Sequence, residues 1–404
     1  MKRVLFVTTS CFPVRGAECI VNVRLLSVLS KSGLFEIDLV TKKSKWQNYP
    51  SDSLEQLGIR LESLEVIEVD NKVSLKTIWQ HFRTFLKFGV VNKGDHWALK
   101  ALPAVKQLIN QNHYDYILTR AQPSHLIGDY VKKNYNIKWV CTWNDPFPIK
   151  MYPKPFGKGN SPAVSSTYSK TIRIMQNADM FIFPNKRLAD YMNKYIMASK
   201  DRIKIIPHVM IDNPQLKVKQ KDCKLRLIHS GSCTNGRSAH LLLLALKELI
   251  TQGIMRDREI IVSFIGVVNE DDQQLFNDPI LKDVTNIQEP VSYLKSLEIL
   301  KEYDIAIIIE AAWEEGVFLP TKVSDFMMAG KRIFTISPQN GLLHDLYKQG
   351  FISYYADVTD INSIKNELER IILDSREDGW NDYTIKVPEE YTSSHVLNEY
   401  LSIQ

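Results

Sequence analysis

The feature that most limits how this chain can fold is a pair of series in which short apolar runs alternate with segments of helical periodicity. The first opens with VLFVTTS (4–10), the loop CFPVRGAE and then IVNVRLLSVLSKSG, where Ile20, Val23, Leu26 and Leu29 recur at helical spacing. IDLVT (37–41), YDYILTR (114–120, after the helical ALKALPAVKQLINQ), KWVCTW (138–143) and DMFIFP (179–184) continue it. The second series follows IKIIPHVMIDNP (203–214), where Pro207 and Pro214 flank a hinge. It runs through LRLIHSG (225–231), a helix over 239–251, EIIVSFIG (259–266), a helix over 292–302, DIAIII (304–309), a helix over 322–329 and RIFTIS (332–337). Continuous apolar runs separated by helices predict parallel strands covered on both faces, hence two doubly wound α/β domains of similar size. Such sheets bind ligands at the carboxyl ends of their strands, so the cleft between the domains is the expected active site. No internal repeat is visible, which excludes a solenoid.

A length of 404 residues accommodates two domains of about 150 to 200 residues each. With 44% hydrophobic and 24% charged residues the composition is that of a globular chain and excludes a disordered or fibrous one. The net charge of +5 conceals an asymmetry. Residues 1–210 hold 31 basic and 16 acidic side chains, residues 211–404 hold 20 and 30, so the halves carry +15 and −10. The first half is therefore expected to face something anionic, plain surface bias being the alternative.

Cys11, Cys19, Cys141, Cys223 and Cys233 form an odd, widely spaced set without a C-x-x-C pair, which points away from disulfides and structural zinc and toward a reducing compartment. The start, MKRVLFVTTS, has too short an apolar core for a signal peptide and reads as a first strand. IIVSFIGVV (260–268) and DIAIII fall well below the roughly 18 residues that span a bilayer. The expected location is the cytoplasm, any membrane contact being peripheral and at the inner face. The stretch 72–100 sets Trp79, Phe82, Phe85, Leu86 and Phe88 among Lys76, Arg83, Lys87 and Lys93, the pattern of a basic amphipathic surface helix. Two placements remain open for it: on an anionic membrane, or with its aromatics packed on the first domain's core.

Three segments carry candidate chemistry. Gly16 ends the first loop just before a helix, where free N–H groups and the helix dipole favour a phosphate; a lone Gly there is also an ordinary turn residue. Ser230-Gly231-Ser232-Cys233-Thr234-Asn235-Gly236-Arg237 follows a strand, exposes backbone amides and adds a cation suited to a diphosphate, although such loops occur without ligands and this one is not a P-loop. The third segment runs from Glu310 to Lys331. Its Lys322 and Asp325, three apart at a helix start, share one face, so the lysine can neutralise phosphate and the acid can accept ribose hydroxyls; a surface ion pair is the plain alternative.

Together these segments resemble bacterial GT-B-type glycosyltransferases, particularly retaining family four and its relatives. The strand, Pro-containing loop and G-A-E of that family are similar to VLFVTTSCFPVRGAE; its I-x-x-I-P segment, strand, Gly loop and cation are similar to IKIIPHVMID and LIHSGSCTNGR. Its P-x-K-x-x-E-x-x-x-x-G-K helix is matched by Pro320, Lys322, Asp325, Gly330 and Lys331, and its R-D-P-W segment by W-N-D-P-F-P at 143–148. The resemblance covers nearly the whole chain. It departs at the usual G-R-L arginine, which is Ser232 with Arg237 at the later lysine. It departs again at the E-x7-E pair, where Glu315 precedes Asp325 by ten positions, and at a common histidine, where Asn144 and Asp145 stand.

The resemblance implies a GT-B fold, two Rossmann-like domains facing across a cleft, divided as an acceptor-binding domain over 1–207, a nucleotide-sugar domain over 208–386 and a C-terminal helix over 387–404 returning to the first. It implies transfer of a sugar from a nucleoside-diphosphate sugar to a hydroxyl of a glycan or polyprenyl-diphosphate-linked acceptor, in surface polysaccharide synthesis. Arg237, Lys322 and the Gly16 backbone would stabilise the departing diphosphate. Gly231, Ser232, Glu315, Gly316 and Asp325 would hold the donor, and Arg15 and Asn144 would lie on the acceptor side. Asp145 would deprotonate or orient the acceptor hydroxyl, N-D-P being equally a turn signal. No D-x-D motif occurs, so neither a metal nor a cofactor is expected, and no nucleic acid. The base, the sugar and the stereochemical course stay open. A nucleotide-sugar 2-epimerase of similar architecture and a non-catalytic nucleotide-sugar-binding module are the rivals.

Overall fold

The structure, a computed structural model, describes residues 1–14, 16–43, 50–69, 74–159, 166–211, 224–255, 259–378 and 380–403. Arg15 and Cys223 lie outside the described residues. The chain divides into two compact units, one of Met1–Tyr152, Gly157–Val209 and Ser393–Gln404, the other of Pro153–Phe156 and Met210–Thr392.

The first unit is built on a seven-stranded parallel sheet: β1 (Lys2–Thr8), β2 (Phe35–Lys42), β3 (Ser63–Ile67), β4 (Tyr116–Arg120), β5 (Lys138–Thr142), β6 (Met180–Phe183) and β7 (Ile203–Ile205), in the order β3-β2-β1-β4-β5-β6-β7. Its central strands are buried on both faces, with Val4, Leu5, Phe6 and Val7 wholly enclosed, and this is why they read as unbroken apolar runs. The connecting helices are α1 (Ala17–Lys31), α2 (Leu75–Phe88), α3 (His96–Gln111), α4 (Ser124–Tyr135), α5 (Ser166–Met175) and α6 (Lys186–Ile196). Asn185 starts α6 by accepting the Leu188 amide at 2.9 Å.

The second unit repeats the plan with β8 (Leu225–Ser230), β9 (Ile260–Ile265), β10 (Thr285–Gln288), β11 (Ile305–Ile309), β12 (Arg332–Ser337) and β13 (Tyr354–Asp357), in the order β10-β9-β8-β11-β12-β13. Its helices are α7 (His240–Thr251), α8 (Glu270–Phe276), α9 (Tyr293–Leu300), α10 (Lys322–Met328), α11 (Leu342–Lys348) and α12 (Ile361–Ser375). Leu227, Phe264, Ile307 and Phe334 of four neighbouring strands pack with Leu243 and Leu246 of α7 and Leu368 and Ile371 of α12. Each such side chain contributes about 1.5–3 kcal/mol on burial. In both units the order reverses beside the first strand, between β1 and β4 and between β8 and β11, which opens a crevice at the carboxyl edge of the sheet.

The two α/β series are present, with strand ends displaced by a residue or two. The strands absent from the expected series, β3, β7, β10 and β13, are the four sheet edges. They are three to five residues long, and in β10 three of the four residues are exposed, so no apolar run marks them.

The stretch 72–100 is not one helix. Ser74 and Thr77 close a capping box at the start of α2, and Gly89, at φ 72°, ends it before α3 begins. Nor do the aromatics Trp79, Phe82 and Phe85 pack on the core. Leu75, Ile78, Trp79, Phe82, Phe85 and Leu86, spaced to share one face, are 46–86% exposed, while the opposite, polar side of α2 is covered: Thr77 and Thr84 are buried and the His81 ring meets His96 edge-on at 5.1 Å.

The final helix, α13 (Ser393–Leu401), belongs to the first unit. Lys204 pairs with Glu399 at 2.6 Å, Val396 and Tyr400 are buried, and the Lys2 ammonium donates to the Ile403 carbonyl.

Candidate active site

In the second unit the loops leaving β8 and β11 carry most of the candidate residues. Gly231 follows β8 with φ 122°, a conformation other residues rarely adopt, and a Cβ there would stand 2.6 Å from Lys322 Nζ. The lysine therefore reaches from the start of α10 across a bare stretch of backbone. Its ammonium is 3.4 Å from Nε2 of His229. Nδ1 of that ring faces the Ile307 carbonyl at 3.2 Å, and since a carbonyl only accepts, Nδ1 carries the hydrogen and Nε2 offers its lone pair to Lys322. Burial and then the Lys322 charge hold the imidazole well below its usual range, so it is neutral.

Lys322 itself is brought from 10.5 to about 8, chiefly by desolvation; Cys233 and Asp325 act in the opposite direction and Arg237 in the same one. Arg237 is half-buried at the end of the loop and forms no ion pair among the described residues. Ser232 is exposed. Asp325 lies one turn beyond Lys322, is buried, and accepts the Tyr293 hydroxyl at 2.7 Å. Glu315 is half-buried, and Gly316 beside it pairs with the loop after β12, donating to Asn340 at 2.8 Å and accepting from Leu342 at 2.9 Å.

Two members of this site carry no mark of it in the sequence. His229 reads as part of a strand, and Glu310 as the residue that ends one. Glu310 stands directly after β11, is 2% exposed, and neither carboxyl oxygen has a hydrogen-bond partner among the described residues. Burial raises its carboxyl from 4.5 to about 7, with Arg237 pulling the other way.

In the first unit Gly16, at φ 79°, precedes α1 with no side-chain cap, and a Cβ there would meet nothing within 4 Å. The start of α1 thus has no side-chain cap, and its first N–H groups are the kind that an anion site uses. Asn144, just beyond β5, donates to Glu18 Oε2 at 2.7 Å and accepts from Arg120 Nη2 at 3.0 Å. It links the ends of β4 and β5 to the first turn of α1 across the reversal point. Arg120, 3% exposed, likewise has no signal of its own in the sequence, since it ends an ordinary strand. Asp145 follows on the surface.

Both units thus have the parallel 3-2-1-4-5-6 order of a nucleotide-binding sheet, each with charged groups at its reversal point. Residues 74–210 match the family model described as Glycosyltransferase Family 4. Over its whole length the chain has the GT-B fold of two Rossmann-like domains. A sucrose-phosphate synthase from Thermosynechococcus elongatus superposes with a TM-score of 0.68 at 12% identity, covering 100% of this chain and 98% of that one. TarM of S. aureus, solved with fondaparinux, α-GlcNAc-glycerol and UDP, gives 0.64 at 10% identity and 99% of both chains. The UDP-GlcNAc 2-epimerase of Neisseria meningitidis, bound to UDP-GlcNAc, gives 0.62 at 10% identity, covering 99% of this chain and 98% of that one. No curated protein matches the sequence.

Proposed function

We propose that this chain is a glycosyltransferase that moves a sugar from a nucleoside-diphosphate sugar to a hydroxyl of a glycan acceptor. The observation that carries the reading is the juxtaposition of Lys322, Arg237 and the Gly231 backbone at the reversal point of the second sheet. Charge accumulates on the leaving diphosphate as the glycosidic bond breaks, and cations already fixed and partly desolvated stabilise it without reorganising. His229 holds the Lys322 ammonium in place from behind. Asp325, oriented by Tyr293, and Glu315 are the donor's hydroxyl partners, Gly16 offers amides to an anionic group, and Asp145 orients or deprotonates the acceptor hydroxyl. Incubating the purified protein with a panel of nucleotide sugars tests the reading. Transfer or slow hydrolysis supports it, epimerised nucleotide sugar would make the chain a 2-epimerase, and tight binding without turnover would make it a binding module.

The acceptor reading is finer: a polyprenyl-diphosphate-linked glycan, met at an anionic membrane face. It is supported by the outward apolar face of α2 and the +15 charge of residues 1–210. Among the described residues no helix is long and apolar enough to cross a membrane, so the contact would be peripheral. Replacing Trp79 and Phe82 by Glu should abolish co-sedimentation with phosphatidylglycerol vesicles while leaving the melting temperature unchanged, since both side chains already face water. Unaltered sedimentation would exclude α2 as a membrane contact.

A further inference from the structure

We infer that Glu310 is a donor-recognition residue whose carboxyl accepts hydrogen bonds from a pair of adjacent hydroxyls on the nucleotide sugar. The assignment rests on the glycosyltransferase reading and adds to it a residue that neither the family resemblance nor the loop motifs single out.

Three observations converge on it. First, a wholly enclosed carboxyl whose two oxygens have no partner is among the costliest groups a fold can hold, and such groups persist where a ligand or water completes them. Second, Glu310 is not isolated in this respect. In the parallel register Ile309 lies opposite Ile336, so Glu310 and Ser337 leave neighbouring strands on the same face of the sheet. Ser337 Oγ is likewise buried, at 1% exposure, and likewise without a partner among the described residues. Two unsatisfied polar side chains therefore stand together at the carboxyl edge, next to the reversal point. Third, the chain crosses this carboxyl at a glycine. A Cβ on Gly316 would lie 3.5 Å from Glu310 Oε2, so any larger side chain there would occupy the carboxyl's surroundings.

The chemistry of the group selects the ligand. A carboxyl offers acceptors, so it repels a phosphate and attracts hydroxyl donors; two oxygens side by side match two vicinal hydroxyls. Arg237 is the charge that acts on Glu310, and it remains available to the diphosphate. The described residues contain no group of three or more His, Cys, Asp or Glu side chains fit to hold a metal, so the carboxyl is not part of a metal-binding set there. The cations thus take the phosphates, and Glu310 takes a diol, either of the ribose or of the transferred sugar.

Calorimetric titration separates the possibilities. Wild type and Glu310→Gln are titrated with the diphosphates of uridine, guanosine, adenosine, cytidine and thymidine and with their glucose conjugates, and the tightest pair is carried forward. The variant should lose about tenfold or more in affinity for the nucleotide sugar. Loss confined to the conjugate assigns the diol to the sugar, and equal loss for the free diphosphate of a ribonucleoside assigns it to the ribose, the thymidine pair, without a 2′-hydroxyl, testing the sugar alone. Affinities within about twofold of wild type for both ligands overturn the assignment. Glu310→Met, of the same length but without polar atoms, distinguishes recognition from folding. Without ligand it should melt about 2–4 °C above wild type, and a lower melting point would mean that the carboxyl serves the fold. Binding lost in Lys322→Ala but kept in Glu310→Gln sinks this inference alone, whereas a wild-type chain that binds none of the panel overturns the glycosyltransferase reading with it.

Discussion

The two sheets have the same strand order and the same reversal beside the first strand, yet they treat charge at that point in opposite ways. In the first unit Arg120, Asn144 and Glu18 are joined in a chain, cation to amide to carboxylate, with only Arg120 Nε left without a hydrogen-bond partner among the described residues. In the second, Lys322 touches a neutral imidazole, while Arg237 has no ion pair and Glu310 no hydrogen-bond partner among the described residues. A closed chain stabilises a fold; an open set of charges stabilises whatever arrives to complete it. On the proposed reading the leaving-group chemistry falls to the half with the acidic count.

The strongest way to break this contrast is to remove the open cations. Lys322→Ala should cut turnover by about 10²–10³-fold and Arg237→Ala by roughly tenfold or more, both without a lower melting temperature; full activity in both would end the site assignment. The next test is pH. On the proposed reading the protonated lysine binds the diphosphate, so affinity should fall by about tenfold per unit above pH 8, and Lys322→Arg should abolish that break. In the ligand-free chain the same shift acts the other way. The unfolded state keeps the proton to about 10.5 and the folded state only to about 8, so the contribution of Lys322 to stability should rise across that window, read as the difference between wild type and Lys322→Met in urea unfolding.

Asn144→Leu opens the closed chain and should cost about 1–3 kcal/mol of stability, because it leaves buried Arg120 and its neighbour Glu18 without their shared partner. A loss of turnover as deep as that of Lys322→Ala, without a loss of stability, would show that the first crevice is as catalytic as the second. The smallest effect is expected from Tyr293→Phe, which removes one hydrogen bond to Asp325 at about 0.5–1.5 kcal/mol and should shift the donor KM by only a few fold.

Much of the architecture is legible in the sequence because a doubly covered parallel sheet leaves an unambiguous trace in its central strands. The edges leave none: Thr285–Gln288 has a single buried residue and so resembles a loop. In α2 the periodicity groups Trp79, Phe82, Phe85 and Leu86 on one face, but a period says which residues share a side and not whether that side meets protein or water. The cations can be found because Lys322 and Arg237 sit in recognisable loops. Glu310 cannot, since an acid after an apolar run reads as a strand end, and only three dimensions reveal that none of the described residues pairs with it. Asn144 shows the same limit. Its partners are 24 and 126 positions away, and no local pattern joins residues at those distances.

The return of α13 to the first unit has a consequence for how the chain is made. The stretch Met210–Thr392 must pass through the ribosome before Ser393 can complete the first sheet's packing, a delay of about 10 to 40 s at ordinary elongation rates. The second unit, contiguous apart from Pro153–Phe156, has that interval in which to form, while the half that is synthesised first waits with the surface destined for Val396 and Tyr400 uncovered. Biogenesis therefore runs against the order of the sequence: the later half is the first that can be finished, and the earlier half is sealed by residues that emerge after it.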